Sequence, residues 1–175
     1  MNYIYFFIIT FDFLKVMIEV WIFLWPLFLA AVLWQLILRI PELFLNYRAK
    51  KSGVTDTDHM SGREFEIYLK NLFEKAGCKV RLLQGYKDHG ADLIVTDKRN
   101  KRYAVQAKKL KSGRVGAKVI GEPLRAMNYY KCDVAMIVTN QNFTKQAKEE
   151  AKIANVVLWN REELIKISEK LKNKR

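Results

Sequence analysis

The sequence predicts an α/β domain, a mixed sheet flanked by helices, preceded by a transmembrane helix. Three observations predict it. Val20 to Leu38 is nineteen residues without a charge, and at about 1.5 Å of rise per residue such a helix covers a bilayer's hydrocarbon core. Downstream, short apolar runs of strand length alternate with longer amphipathic segments. One of those runs, Val134 to Thr139, is unbroken, the mark of a strand covered on both faces, so helices belong on each side of the sheet.

Residues 1–45 read as a membrane anchor with its span at about 20–38. Trp21, Trp25 and Trp34 lie toward the ends of the span, where amphipathic rings favour the interface, and Pro26 is tolerated in an early turn. A buried core helix is the alternative, but the domain after it has its own apolar elements and no need of a helix apolar on every side. A cleaved signal peptide fits less well, because no basic region opens the chain and no polar sequence begins before Arg39. Tyr3 to Phe11 is apolar too; Asp12, Lys15 and Glu19 interrupt it, which suits an interfacial or helical lead-in, with a second span as the alternative. Residues 1–40 balance Lys15 and Arg39 against Asp12 and Glu19, so the net charge of +13 belongs wholly to residues 41–175. Arg39, Arg48, Lys50 and Lys51 flank the span, which predicts a single-pass protein whose folded domain faces the cytoplasm. Cys78 and Cys132 show no pairing pattern, in keeping with a reducing compartment.

Residues 46–60 are polar and aperiodic and read as a linker, with the folded domain at 61–175. Ser61 and Glu64 form a capping box ahead of a helix whose apolar stripe is Phe65, Leu69, Leu72, Phe73 and Ala76, and Gly77 stops it. Glu66 sits beside that stripe, where a carboxylate needs a cation or a donor. Strands are expected at Lys79 to Leu83, Ala91 to Thr96 and Arg102 to Lys108, with Asp97-Lys98-Arg99-Asn100 as the turn between the last two. A basic, glycine-bearing loop, Lys109 to Lys118, leads to a helix around Pro123 to Lys131, with Pro123 in its first turn. After the strand at Val134 to Thr139 come a helix at Phe143 to Asn155, a strand at Val156 to Trp159, and a helix at Arg161 to Leu171 with a basic tail. The order is αβββαβαβα.

The chemistry concentrates between Gly90 and Lys109. Asp92 stands at the mouth of Leu93-Ile94-Val95, and the next strand ends in Gln106-Ala107-Lys108. Period 2 sends Gln106 and Lys108 to one face and Ala107 to the other. A carboxylate, a carbonyl oxygen and an ammonium then share one small volume. Oxygen donors suit Mg²⁺, which lowers the pKa of a bound water and offsets charge on a phosphodiester, while a lysine can orient that water or stabilise the oxyanion. Gln106 brings an oxygen but no charge. Asp92 as a turn cap and Lys108 as one of a solvated row with Lys109 and Lys111 are the bland readings. Lys109, Lys111, Arg114 and Lys118 are either a solvated loop or phosphate contacts, and a net +13 favours DNA. Asp88 and His89 at the strand entrance are given no catalytic part. A zinc-ligand cluster, a nucleophile elbow and a P-loop are all missing from the sequence, which leaves other hydrolytic chemistries without a foothold.

Gly62-Arg63-Glu64-Phe65-Glu66, Asp88-His89-Gly90-Ala91-Asp92, Val105-Gln106-Ala107-Lys108, Ile137-Val138-Thr139-Asn140 and Phe143-Thr144-Lys145-Gln146-Ala147 succeed one another in order from about Ser61 to Leu164. Together they resemble the Mrr-like restriction endonuclease family of the PD-(D/E)xK nuclease superfamily, in the variant where Gln replaces the acidic residue of the ExK element. The resemblance implies a restriction-endonuclease-like fold and Mg²⁺-dependent hydrolysis of DNA by Glu66, Asp92, Gln106 and Lys108. Asp92, Gln106, the Ala107 carbonyl and, through water, Glu66 would hold the metal; Glu66 alternatively orients Lys108 or makes a structural salt bridge. It also implies DNA as partner and no organic cofactor; the apolar span adds the lipid membrane as a second partner, and a homodimer stays open. Restriction members usually carry a separate DNA-recognition domain, and here a membrane helix stands in that place. A non-catalytic tethered DNA-binding protein and a structure-specific repair or junction nuclease stay open as alternatives.

Overall fold

The computed structural model describes the backbone of residues 2–51, 54–83 and 89–173, with side chains throughout those ranges except at 2–13, 41–43, 45, 46, 48–51 and 55. Asp88, Lys174, Arg175 and the side chains of Arg48, Lys50 and Lys51 therefore lie outside the described residues. The chain divides into two units, Met1–Phe44 and Leu45–Arg175.

The first helix, α1, runs over Asn2–Lys51. Trp21 and Phe23, two positions apart and so on nearly opposite sides, are both exposed. Leu14–Ile40, with a mean hydropathy of 2.3, is long and apolar enough to cross a membrane. The expected 20–38 lies within it, and Lys15 and Glu19 stand one turn apart in unbroken helix. The expected linker changes character. Arg48-Ala49-Lys50-Lys51 are good helix formers and extend α1 despite their polarity. Val54–His59 then forms a 3-10 helix with Val54 and Thr57 buried, and Met60 after it is buried as well. The three buried side chains recur every third residue, but with a threonine as the middle one no apolar period can be read.

In the second unit, α2 (Gly62–Lys75) starts at the Ser61 capping box, closed in both directions as the sequence predicts. The sheet is built from β1 (Lys79–Leu82), β2 (Leu93–Thr96), β3 (Arg102–Lys108), β5 (Val134–Thr139) and β7 (Val157–Trp159), in the order β1-β2-β3-β5-β7. The first three strands are antiparallel and β3, β5 and β7 are parallel, so the sheet is mixed. A separate parallel pair, β4 (Arg114–Val115) with β6 (Asn142–Phe143), is too short to register in the sequence. The remaining helices are α3 (Gly121–Tyr129), α4 (Lys145–Ile153) and α5 (Arg161–Lys172).

Alternation divides the core into two layers. Leu93, Val95, Val105, Met136 and Val138 pack with Phe65, Leu69, Leu72 and Phe73 of α2 and with Leu164 of α5. Their strand neighbours turn the other way: Ile94 and Ala104 meet Ala126 of α3, and Ala135 and Ile137 meet Ala147 and Ala151 of α4. The small residues on this second face allow α3 and α4 to lie close to the sheet. Parity then assigns Asp92, Gln106 and Lys108, in step with Ile94 and Ala104, to the α3 side.

Candidate active site

The β2–β3 pairing sets Leu93 opposite Val105, so Asp92, one residue before, falls beside Gln106. Backbone bonds fix it there: the Asp92 N–H donates to the Val105 carbonyl and the Asp92 carbonyl accepts from Leu83. The residue is 9% exposed, and Oδ2 accepts from the Gln106 side-chain amide at 2.5 Å and from the Ala107 N–H at 2.7 Å. The Gln106 amide nitrogen also reaches the Ala107 carbonyl at 3.4 Å. One amide thus serves two oxygen acceptors, a carboxylate and a backbone carbonyl. A cation would satisfy the same pair, and the Gln106 carbonyl oxygen would add a neutral third donor, so the set fits a hard ion such as Mg²⁺. Among the described residues no group of three or more His, Cys, Asp or Glu gathers as a metal site. Beside Asp92, the oxygen donors gathered among the described residues are the Gln106 amide and the Ala107 backbone.

Lys108 shares the face of Gln106 but is occupied differently. Its Nζ lies 2.6 Å from an oxygen of Glu122, and both side chains are 28% exposed. Glu122 stands in the first turn of α3 and is not among the residues the sequence singles out; the acidic residue next to Pro123 is the one signal for it. Gly90 permits this approach. Its φ is +95°, and a Cβ there would run into the Glu122 backbone carbonyl.

Of the parts expected for Glu66, the structural salt bridge is the one its contacts match. The residue pairs with Arg63 at 2.9 Å, one turn back on α2, and α2 packs on the opposite face of the sheet from Asp92 and Gln106. The structural salt bridge is the geometry observed, and the carboxylate that meets Lys108 is Glu122.

The basic segment after β3 is held at two points. Asn140, fully buried, accepts from the Leu110 N–H and donates to the Leu110 carbonyl, both at 2.9 Å. The same amide donates to Asp58, and Arg161 donates to Asp58 at 2.6 Å and to the Asn140 carbonyl at 3.2 Å. The Arg161 hydrogen bond holds the Asp58 carboxyl below its ordinary range. Further on, β4 pairs with β6, turning Val115 into the core and leaving Arg114 exposed. Lys109 is half-buried, and Lys111 and Lys118 are exposed. What reads as a free basic loop is thus a braced segment that carries its cations outward. Cys78 and Cys132 are unpaired, and burial pushes both thiols up.

A mixed five-stranded sheet between helices, with an acidic residue, a QxK strand and a nearby basic segment on one side, defines a restriction-endonuclease-like domain. The Mrr catalytic-domain family (Mrr_cat, restriction endonuclease) matches residues 57–168, and the chain belongs to that family. The match begins inside the 3-10 helix at Val54–His59, in accord with the burial of Val54 and Thr57. Among solved structures, the DNA modification-dependent restriction endonuclease AspBHI is similar, with 15% identity, a TM-score of 0.53, and coverage of 70% of this chain and 34% of that one. A protein of unknown function, AF1548, is similar at 17% identity and a TM-score of 0.51 over 60% and 63% of the two chains. The restriction endonuclease MspJI, solved in complex with a 27-mer oligonucleotide, matches at 20% identity and a TM-score of 0.43, over 59% of this chain and 26% of that one. At these identities the likeness is one of fold, and this chain spans less than two thirds of each of the three. No curated protein matches.

Proposed function

We propose that this chain is a membrane-tethered, Mg²⁺-dependent DNA endonuclease that hydrolyses phosphodiester bonds, acting in restriction or defence against foreign DNA. One observation carries the reading: the Asp92 carboxylate, the Gln106 amide and the Ala107 backbone meet on the face of β3 that also bears Lys108. Membership in a restriction endonuclease family supports it.

Asp92, Gln106 through its carbonyl oxygen, and the Ala107 carbonyl would hold the ion. The chemistry supplied by Mg²⁺ when bound is neutralisation of phosphate charge and a lowered pKa for water. Lys108 orients the attacking water or stabilises the charge that grows on the phosphoryl oxygens. Glu122 holds that ammonium in a fixed direction, while Glu66, held by Arg63, serves α2. Lys109, Lys111, Arg114 and Lys118 take the phosphate backbone, and the Asn140 brace keeps them beside the site. Leu14–Ile40 is the tether, and Arg39, Arg48, Lys50 and Lys51 orient the nuclease unit toward the cytoplasm.

The test is nicking of supercoiled plasmid by the full chain in mild detergent, with Mg²⁺ or with EDTA. Relaxed and linear products that require Mg²⁺ are expected. A chain that binds the plasmid and never cuts it in Mg²⁺ is a DNA-binding protein instead.

A further inference from the structure

At the other end of α3 from Glu122, aromatic side chains from two separate segments gather on the surface. His89, three residues ahead of Asp92, stacks on Tyr129 with ring centroids 3.7 Å apart and planes 21° from parallel. Tyr130 meets both rings edge-on, at 6.1 Å from His89 and 4.9 Å from Tyr129. The Arg81 guanidinium from β1 lies over the Tyr130 ring at 5.4 Å. Tyr130 is half-buried against Ala91, Ile94 and Ala126, which fixes the group to the fold. Tyr129 is 60% exposed, and His89 and Arg81 are exposed as well.

Packing alone does not account for this arrangement. A tyrosine that served only to seal α3 onto the hairpin would turn its ring inward, as Tyr130 does in part. Here a stacked pair of exposed rings, His89 and Tyr129, stands beside a cation held over Tyr130, a combination on which nucleobases stack. Its position is defined by the helix. Glu122 and Tyr129 are seven residues apart, hence on one face of α3 and about 10 Å apart along its axis.

We infer that His89, Tyr129, Tyr130 and Arg81 form a stacking site for an unpaired DNA base within a few nucleotides of the phosphate held at Asp92 and Lys108. The inference rests on the DNA reading of that site and adds the class of substrate: DNA carrying a bulged, frayed or extruded base. An intact duplex buries the faces of its bases in its own stack, so the rings have nothing to meet. An unpaired base offers a free π-face, and the guanidinium adds attraction to the base or the adjoining phosphate. The recognition is tolerant of sequence, since every base has such a face.

The test uses the full chain in detergent with EDTA, so that binding is read without cleavage. The probes are two oligonucleotide duplexes containing 2-aminopurine, one with the base bulged and one with it paired to thymine. The wild type should bind the bulged duplex about tenfold more tightly, a ratio within the range for one base–aromatic stack, and should quench its fluorescence. Tyr129→Ala, Tyr129→Leu and His89→Ala should bring the ratio near one, while Tyr129→Phe, which keeps the ring and controls for folding, should retain it. A ratio near one in the wild type, or a tenfold ratio that survives both Tyr129→Ala and Tyr129→Leu, overturns the stacking site. Failure of the nuclease reading shows separately, as uncut oligonucleotides in Mg²⁺, whatever the ratio in EDTA.

Discussion

The Lys108 ammonium and the Glu122 carboxylate, 2.6 Å apart, join the end of β3 to the first turn of α3. The contact lies on the same side of the sheet as Asp92 and Gln106, and it gives the lysine a fixed direction. Each side chain keeps enough exposure to meet an incoming phosphate, so the pair positions a charge without sealing it away. Glu122→Gln should therefore lower kcat by roughly 10- to 100-fold, the usual cost of losing an outer partner of a catalytic group, with little change in KM for DNA. Glu122→Asp should recover part of the loss. Equal falls in both variants, accompanied by a lower melting temperature, would reduce Glu122 to a helix-terminus residue.

Gly90 makes that contact possible, and replacing it should have two effects. The φ of +95° is one that alanine adopts at a cost, and the added methyl would meet the backbone of Glu122. Gly90→Ala should lose at least about 1 kcal/mol of stability and should lower cleavage beyond what that loss explains. Thermal melts and initial rates on one preparation check both. An alanine variant that melts and cuts as the wild type does would mean that α3 sits farther from the β2 entrance.

Gln106 separates a ligand from a packing residue. In Gln106→Glu a second carboxylate stands against that of Asp92, so the metal-free protein should melt lower than the wild type. Mg²⁺ should restore it, raising the melting temperature more than in the wild type, because binding to the folded form alone stabilises in proportion to affinity. The readout is thermal and needs no turnover. Indifference of the variant to Mg²⁺ would show that the amide only bonds Asp92 and Ala107.

Much of the site is legible in the sequence because it lies on strands. The alternation of Val105-Gln106-Ala107-Lys108 and the polar turn at Asp97–Asn100 are enough to bring Asp92 to Gln106. The strands at Arg102–Lys108 and Val134–Thr139 have the limits expected. What stays hidden depends on contacts between elements far apart in sequence. Nothing near Glu122 announces that it meets a lysine fourteen residues earlier. Asn140 is visible as part of a motif, but its bonds to Leu110 and Asp58 join segments that no local pattern connects. Val54 to His59 looks like linker because a buried threonine and single apolar residues leave no apolar period. Glu66 lies beside the core stripe of α2 as its spacing implies, yet a helix on the other face of the sheet holds the carboxylate that Lys108 uses.

Asp58 contributes to the acid limb of the fold's stability. Its hydrogen bond from Arg161 lowers the folded pKa beneath the ordinary 3.8, so the folded state binds that proton less readily than the unfolded chain. The contribution to stability is complete above about pH 3.8 and is lost as pH falls below it, through the folded value. Melting temperature measured from about pH 7 down to about pH 3 should drop along an acid limb that Asp58→Asn makes shallower. A limb equally steep in the variant would place the titrating group elsewhere.

The central claim, that Asp92 and Lys108 perform chemistry while the basic segment supplies affinity, is tested most directly by measuring cleavage and binding together. Plasmid cleavage in Mg²⁺ and DNA affinity in EDTA should be compared for the wild type, Asp92→Ala and Lys108→Ala, all as full chains in detergent. Both variants should lose at least about 100-fold in cleavage rate while their affinity stays within a fewfold of the wild type, because groups that act on the transition state contribute little to ground-state binding. Cleavage at the wild-type rate by either variant would contradict the account.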